Sequence, residues 1–390
     1  MENIWLASAL WVGLALIAAV MQQWVAVSVA LLEIVTGAVA GNLVDLTLTP
    51  WVNYLAGFGA ILLTFLAGAE IDARVIRRNF GSTMAIGIIG FLAPYLGVLA
   101  YAHFISGWSW PQAQIAGIAL STTSVAVVYA VMVETGFNQT EIGKIILAAC
   151  FVNDLLTVLA LGLVFANYNF WLIGFVAATA IALWFLPRIT PRFFAKMGQR
   201  VSEPQIKFVL LILFALGGLA NTAKSEAVLP AYLIGMVLAP IFLADKELTH
   251  RIRVITFTLL TPFYFLKAGS LVRADVIVEA AGLIAVYLAV KMITKFVGIL
   301  PLTRVFKFNR REGMYTTLMM STGLTFGSIS ALFGLTNHII DESQYTILLT
   351  AVIGSAVVPT LIAQRWFQPD LTPIAEGTPD RAVTAVAAGE

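Results

Sequence analysis

The chain has 390 residues, of which 60% are hydrophobic and only 11% are charged. Soluble domains average roughly 25% charged residues, so this composition excludes a soluble protein with a single core. The formal net charge of +2 is too small for a nucleic-acid-binding protein, and no DNA or RNA partner is expected. One cysteine, Cys150, and scattered histidines provide neither a disulfide nor a metal site, so we expect no cofactor.

Thirteen apolar runs follow one another along the chain, each close to the roughly 20 residues that cross a bilayer core. We place them at 4-21, 25-43, 52-70, 82-103, 112-133, 142-165, 168-187, 206-222, 228-244, 254-272, 276-300, 312-335 and 344-364. The first run has no basic segment before it and no cleavage site after it, which indicates a membrane span and not a signal peptide. The sequence predicts an all-α polytopic protein, one integral membrane domain with a short polar tail at 365-390.

Lysine and arginine residues concentrate in alternate loops. Most of the 23 lie in the loops after odd-numbered runs and in the tail, whereas the loops after even-numbered runs hold only Lys224 and Arg273. Basic loops are retained on the cytoplasmic side of a membrane. We therefore expect an N-terminus outside and a C-terminus in the cytoplasm, in a bacterial inner (plasma) membrane.

Two of the predicted helices are interrupted by polar residues. Ser121 to Ser124 interrupt run five, and Ser321 to Thr325 interrupt run twelve, 200 residues further on. A linker helix and basic loop at 166-205 separate a first repeat (1-165) from a second (206-364), and this odd helix makes the second half enter from the opposite side. Broken helices at corresponding positions of inverted repeats are typical of a transporter's substrate site. Alternatively, the hydroxyl groups bond back to their own helices and only bend them.

One acidic residue lies near the middle of an apolar run. Asp154 is in run six, directly after Asn153. A charge at the centre of a bilayer costs from about 3 to more than 10 kcal/mol, so such a residue is a functional candidate. Burial disfavours a charged carboxylate, so Asp154 can hold a proton and release it when a cation replaces it, with Asn153 adding a neutral carbonyl ligand. The alternative is a protonated Asp that hydrogen-bonds to a neighbouring helix.

Two lysines are candidates for a supporting core charge, and Glu33, Glu70 and Thr325 of run twelve are secondary candidates. Lys291 and Lys295 lie four residues apart on one face of run eleven. Lys295 is a counter-charge for Asp154, a donor to the backbone of a broken helix, or a side chain that snorkels to the cytoplasmic end, and Lys291 is similarly ambiguous. Glu33, inside run two, needs a partner from another helix. Glu70 closes run three, where it either lines a funnel or belongs to a solvated helix end.

Several of these segments together resemble the monovalent cation:proton antiporter-2 family. The resemblance covers about residues 25 to 364 and rests on Asn153-Asp154, Thr123-Ser124-Val125, Leu32 to Gly37, Phe65 to Asp72, Pro262 to Phe265 and the lysine of run eleven. It implies a Na⁺/H⁺ antiporter-like fold, in which runs five and twelve are crossed broken helices. It further implies a homodimer whose core helices move against a scaffold in an elevator-like motion.

Positions in the family motifs imply roles for individual residues. Asp154 becomes the carboxylate that binds the proton and the cation, Thr123 and Ser124 lie beside it, and Lys295 becomes the core lysine. Where electrogenic sodium antiporters of this type carry two consecutive aspartates, this chain has Asn153, which is similar to the electroneutral antiporters. Run twelve reads Gly323-Leu324-Thr325 where the family often has a charged element, and the nucleotide-binding tail of some members is absent.

The sequence therefore predicts a transporter and not an enzyme. Our hypothesis is electroneutral exchange of Na⁺ for H⁺ across the bilayer, with Asp154 binding each in turn; K⁺ or Li⁺ can replace Na⁺, since selectivity depends on the cavity. A sodium-coupled symporter of an organic anion is a weaker alternative, because it does not require a proton-binding acid. An intramembrane protease is a second alternative. It would need a second catalytic carboxylate facing the first, or a buried histidine base, and the apolar runs supply no suitable residue for either.

Overall fold

The computed structural model describes residues 4–24, 28–44, 46, 48–71, 77–137, 140–165, 170–197, 202–223 and 227–369. The tail beyond residue 369, Asp72 and the loop residues Arg74, Arg200 and Lys224 lie outside this part of the chain. Within it the protein is entirely helical, with no β-strand.

The helices follow the predicted order closely. They are α1 (Ile4–Met21), α2 (Val29–Leu43), α3 (Pro50–Ala69), α4 (Phe80–Ala100), α5 (Trp110–Ser121), α6 (Val125–Glu134), α7 (Glu141–Val164), α8 (Phe170–Met197), α9 (Pro204–Thr222), α10 (Val228–Ala244), α11 (Lys246–Ile255), α12 (Thr261–Ser270), α13 (Ala274–Glu279), α14 (Ala281–Val305), α15 (Arg310–Met319), α16 (Thr325–Thr336) and α17 (Glu342–Trp366). A π-helical turn, Tyr101–Ile105, extends α4, and a second, Thr256–Leu260, joins α11 to α12.

Each predicted run corresponds to one helix, to a helix continued by a π-helical turn, or to two helices in succession. Runs five and twelve are broken where the polar residues interrupt them, giving α5 with α6 and α15 with α16. Run seven continues to Met197, ten residues beyond its predicted end at 187, because Pro187 and Pro191 are accommodated within α8. Run ten begins earlier, at Lys246. Hydropathy underestimates both helices because their polar ends extend beyond the apolar stretch.

In the described residues, eight helices are long and apolar enough to cross a membrane. The helices α2, α10 and α16 are apolar but shorter. The structure is thus that of a polytopic membrane protein.

The helices pack into two groups. The scaffold group comprises α1–α3 and α8–α12, in which α3 packs on α10 and α2 packs on α12. The site group comprises α4–α7 and α14–α17, in which α4 contacts α5, α7 and α14. Helices α7 and α10 are in contact across the boundary between the groups.

Glycines bring the scaffold helices into backbone contact. A Cβ atom added at Gly68 of α3 would lie 2.2 Å from the carbonyl oxygen of Tyr232 in α10, and one at Gly235 would lie 2.1 Å from the carbonyl oxygen of Phe65. In the α2–α12 pair, Gly37 and Gly269 make equivalent contacts, at 2.2 and 2.0 Å. Small residues of this kind allow close helix association in lipid, where van der Waals packing replaces the hydrophobic effect.

We expect Gly68→Ala to destabilise the protein, because the added methyl group must force α3 and α10 apart. Overpacking typically costs about 1–3 kcal/mol, so the midpoint of thermal unfolding in detergent should fall. Gly57→Ala is the matched control in the same helix, since its added Cβ would have no atom within 4 Å. Equal losses in the two variants would contradict this explanation.

Candidate functional site

The two helix breaks face each other at the centre of the site group. The backbone N–H of Ser124, in the first break, donates to the carbonyl oxygen of Thr322 in the second at 3.0 Å. The hydroxyl group of Thr123 donates to the carbonyl oxygen of Met320 at 2.7 Å. The hydroxyl oxygens of Ser124 and Thr325 are 3.4 Å apart. The breaks therefore satisfy part of each other's backbone, which a lipid environment requires of any non-helical segment.

Asn153 of α7 completes the backbone pairing of the first break. Its Oδ1 accepts from the N–H of Thr123 at 2.9 Å, and its Nδ2 donates to the carbonyl oxygen of Ser121 at 3.4 Å. The side chain is fully buried. An amide can both accept and donate, whereas an ionised aspartate only accepts. Asn153 thus holds the backbone of the first break in place, and it directly precedes the Asp154 carboxylate in the chain.

Lys291 is placed at the C-terminal ends of the two broken helices. Its Nζ donates to the carbonyl oxygen of Thr122 at 3.3 Å and to Oγ of Ser355 at 2.8 Å. The Ser355 hydroxyl lies 3.4 Å from the carbonyl oxygen of Gly323 in the second break. Helix C-termini carry partial negative charge, so a buried ammonium group is stabilised there. A Cβ atom at position 323 would lie 2.3 Å from Nζ of Lys291, so a larger residue there would have to displace the ammonium group.

Lys295 and Asp154 are both buried beside the first break but do not form a direct ion pair. Nζ of Lys295 donates to the hydroxyl oxygen of Thr123 at 2.9 Å. Asp154 is 1% exposed, and its Oδ1 has no hydrogen-bond partner in the described structure. A buried carboxylate without partners is costly unless it is protonated or binds a cation. Asp154 is therefore the one acid of this cluster with the chemistry to bind a proton or a monovalent cation.

A cavity of about 500 Å³ lies between the scaffold group and the site group. We call it the vestibule. At one end it is lined by Glu70, Lys144, Lys246 and Arg253, and we call the side of the bundle where these residues lie the basic face. Further in, it is lined by Val125, which follows the first break, and by Phe151, one helical turn before Asp154. The vestibule thus extends from the basic face toward the buried carboxylate.

The structure brings together seven of the nine residues selected from the sequence. These are Asn153, Asp154, Thr123, Ser124, Lys291, Lys295 and Thr325. Glu33 is also buried, at 3% exposure, but its helix α2 packs mainly against α1 and α12 in the scaffold group. Glu70 pairs with Arg253 at the rim of the vestibule.

Three contributions were not predicted from the sequence. They are Ser355, the backbone carbonyl of Thr122, and Tyr232, whose hydroxyl group donates to the carbonyl oxygen of Phe151 at 3.0 Å. A lone serine in a membrane helix ordinarily bonds to its own backbone, as Ser355 also does to Val352, so the sequence offers no signal for it. Tyrosine within an apolar run is equally uninformative.

Crossed broken helices around a buried carboxylate define a class of protein, the secondary transporters with inverted-repeat folds. Residues 12–368 match the family model described as "Sodium/hydrogen exchanger, transmembrane". The chain belongs to this family. This confirms the predicted resemblance to cation:proton antiporters and the prediction that the protein is a transporter and not an enzyme.

Known proteins of similar sequence and structure agree with this assignment. The chain is 24% identical to a probable Na(+)/H(+) antiporter 3 of Methanocaldococcus jannaschii, over 86% of this chain and 88% of that protein. It is 21% identical to the Na(+)/H(+)-K(+) antiporter GerN of Bacillus cereus, over 79% and 81% of the two chains. It spans only 41% of the length of the Cation/H(+) antiporter 18 of Arabidopsis thaliana, at 22% identity. The solved structure of the sodium proton antiporter MjNhaP1 from M. jannaschii matches with a TM-score of 0.70 at 13% identity, covering 93% of this chain and 98% of that one, which confirms the fold.

We expect Asn153→Ala to lower both thermal stability and ion exchange. The substitution leaves the N–H of Thr123 and the carbonyl of Ser121 without their partner, and a buried unsatisfied group costs about 1–3 kcal/mol. The control is Thr157→Ala, one turn along α7, whose hydroxyl group only bonds back to the carbonyl of Asn153. Unfolding midpoints and exchange rates of the two variants should differ clearly. An Asn153→Ala protein as stable as Thr157→Ala would contradict the role in the break.

Proposed function

We propose that this protein exchanges a monovalent cation, Na⁺ in the first place, for protons, and that Asp154 binds the two in turn. The observation that carries the proposal is the buried Asp154 carboxyl group, with an unpartnered oxygen, at the crossing of two broken helices. The described residues contain no cluster of three or more Asp, Glu, His or Cys side chains, and we assign both ions to the one carboxylate at the crossing. The names of the relatives include both Na⁺ and K⁺, and K⁺ is the alternative cation.

We further propose that the exchange is electroneutral. Among the residues that the structure describes, Asp154 is the only carboxyl group of the cluster, and the preceding position is Asn153. One carboxylate that releases one H⁺ as it binds one Na⁺ carries no net charge through the cycle. Lys291 and Lys295 are both hydrogen-bonded to the first break in this conformation, and we assign them no exchanged proton.

Two observations support alternating access by movement of the site group against the scaffold group. The vestibule lies between the groups on the basic face. On the other side the groups are in contact, since the hydroxyl group of Tyr345 in α17 donates to the carbonyl oxygen of Ala268 in α12 at 2.6 Å. The N–H of Arg273 also donates to the hydroxyl of Thr346 at 3.1 Å. We interpret this arrangement as the conformation open to the basic face.

Matched features in the two halves support the inverted repeat, with repeats at 1-165 and 206-364. The breaks are 200 residues apart, and the close-packing glycines also correspond, since Gly37 is matched by Gly235 and Gly68 by Gly269. Each helix pair thus contains one glycine from each half. The α2–α12 and α3–α10 pairs are then the same contact repeated by symmetry.

The setting of the transporter follows from its charges and exposed helices. We assign the basic face to the cytoplasm of a bacterial plasma membrane, with the N-terminus outside, because basic loops are retained on that side. We also propose a homodimer. The helices α1 and α8 support it, because both are long, apolar and among the least buried of the described spans. Cross-linking in native membranes tests this assembly.

We expect Asp154→Asn to abolish cation-driven proton flux. Proteoliposomes that contain a pH-sensitive dye are exposed to Na⁺, K⁺ or Li⁺, and the native chain should show proton movement that the variant lacks. Glu279→Gln, an exposed acid at the end of α13, is the matched control and should behave like the native protein. Absence of a pH response to all three cations in the native protein would overturn the antiporter proposal and redirect the search to organic anions.

Electroneutral exchange predicts a rate that is independent of membrane voltage. The first measurement compares Na⁺-driven proton flux with and without a potassium–valinomycin clamp. The second records the transport current on a solid-supported membrane. Equal rates and no net current are expected, because one H⁺ is exchanged for one Na⁺. A current that reverses with membrane potential would show that a second charge moves with each cycle.

A further inference from the structure

We propose that Tyr232 is a positioning residue that holds the Asp154 helix against the scaffold group in the conformation open to the basic face. The proposal rests on the exchange function proposed above, and it adds a residue that neither the sequence motifs nor the comparisons assign. Three features of the structure support it: what holds Tyr232, what its hydroxyl group contacts, and where that contact lies.

Tyr232 lies in one of the two closely packed helix pairs of the scaffold group. It belongs to α10, and its own carbonyl oxygen faces Gly68 of α3 at a distance that admits no Cβ atom. Its side chain is fully buried. The position of the hydroxyl group is therefore fixed by backbone packing between α3 and α10, and it cannot follow a movement of the site group.

The hydroxyl group crosses the boundary between the two groups. It donates to the carbonyl oxygen of Phe151 at 3.0 Å, and Phe151 lies three residues before Asp154 in α7. The aromatic ring also contacts Phe326 in an edge-on arrangement, with ring centres 6.1 Å apart. Phe326 is the second residue of α16, which begins at the end of the second break. One scaffold side chain thus contacts both the cation-binding helix and a broken helix.

The contact also lies where the cation path reaches the site. Phe151 lines the inner part of the vestibule, so the bond from Tyr232 is made beside the passage to Asp154. If the site group moves to open the other side, α7 shifts relative to α10 and this bond has to break. The bond therefore stabilises only the conformation that is open to the basic face.

The test is Tyr232→Phe, which keeps the ring and removes the hydroxyl group. The half-saturating cation concentration, KM, is measured from each side, in everted and in right-side-out vesicles. When a substitution destabilises one conformation, the equilibrium constant between the two conformations changes by some factor. The ratio of KM at the basic face to KM at the other face changes by that same factor, and it does not depend on the amount of folded protein. One neutral hydrogen bond corresponds to about a threefold to tenfold change, so we expect this ratio to rise by that factor.

Tyr287→Phe is the matched control. Tyr287 is equally buried, and its hydroxyl group donates to Ser106 at 3.2 Å, but both residues belong to the site-group side and move together. The KM ratio should therefore stay at the native value, although the unfolding midpoint can fall as much as for Tyr232→Phe. An unchanged ratio in Tyr232→Phe, or an equal change in both variants, would overturn the proposal.

A second measurement covers the case in which transport by Tyr232→Phe is too slow to analyse. A cysteine at Leu147, which lines the vestibule, is labelled with a membrane-impermeant maleimide from the basic face. Under conditions in which the native protein populates both conformations, labelling should be slower when Tyr232→Phe is added, and equal labelling would again overturn the proposal. Failure of the antiporter proposal looks different, because the native protein would then show no cation-driven proton flux.

Discussion

The rest of the structure depends on the need to satisfy two interrupted helices inside a membrane. A break leaves backbone N–H and C=O groups that lipid cannot bind, and each unsatisfied group costs several kcal/mol. Here the two breaks meet, and their polar groups bond to one another, to Asn153 and to Lys291. The crossing thus positions the polar side chains around it.

This constraint limits the number of acids in the site. The Asn153 amide accepts from the N–H of Thr123 and donates to the carbonyl of Ser121, whereas an ionised aspartate at this position would only accept. The residue that closes the break is thus a neutral one, and the proposed exchange depends on the carboxylate of Asp154 alone. In that proposal, the charge carried in each cycle is linked to a hydrogen bond that holds the backbone together.

The sequence was sufficient for the helices and the centre of the site, and insufficient for contacts between distant helices. Apolar runs locate the spans because length and hydropathy are local properties, and Ser121 to Ser124 marks its break for the same reason. Asp154 stands out because a charge in lipid is rare. Glu33 stands out equally in the sequence, but it lies in the scaffold group. The sequence could not show this, because hydropathy does not tell which neighbouring helix a residue faces. Ser355 acts through Lys291, a contact across 64 positions that no local pattern records.

The position of Lys295 is consistent with a carboxylate that has to exchange its ligand. A tight ion pair between Lys295 and Asp154 would oppose both ions, because a proton or a cation would first have to displace the ammonium group. The ammonium is instead bound to the hydroxyl oxygen of Thr123, within the first break, and makes no direct ion pair with the carboxylate. Its charge still interacts with Asp154 at longer range and offsets part of the cost of burying the bare anion. In the proposed exchange, the Oδ1 atom of Asp154, which has no hydrogen-bond partner among the described residues, is thus left to a proton or a cation.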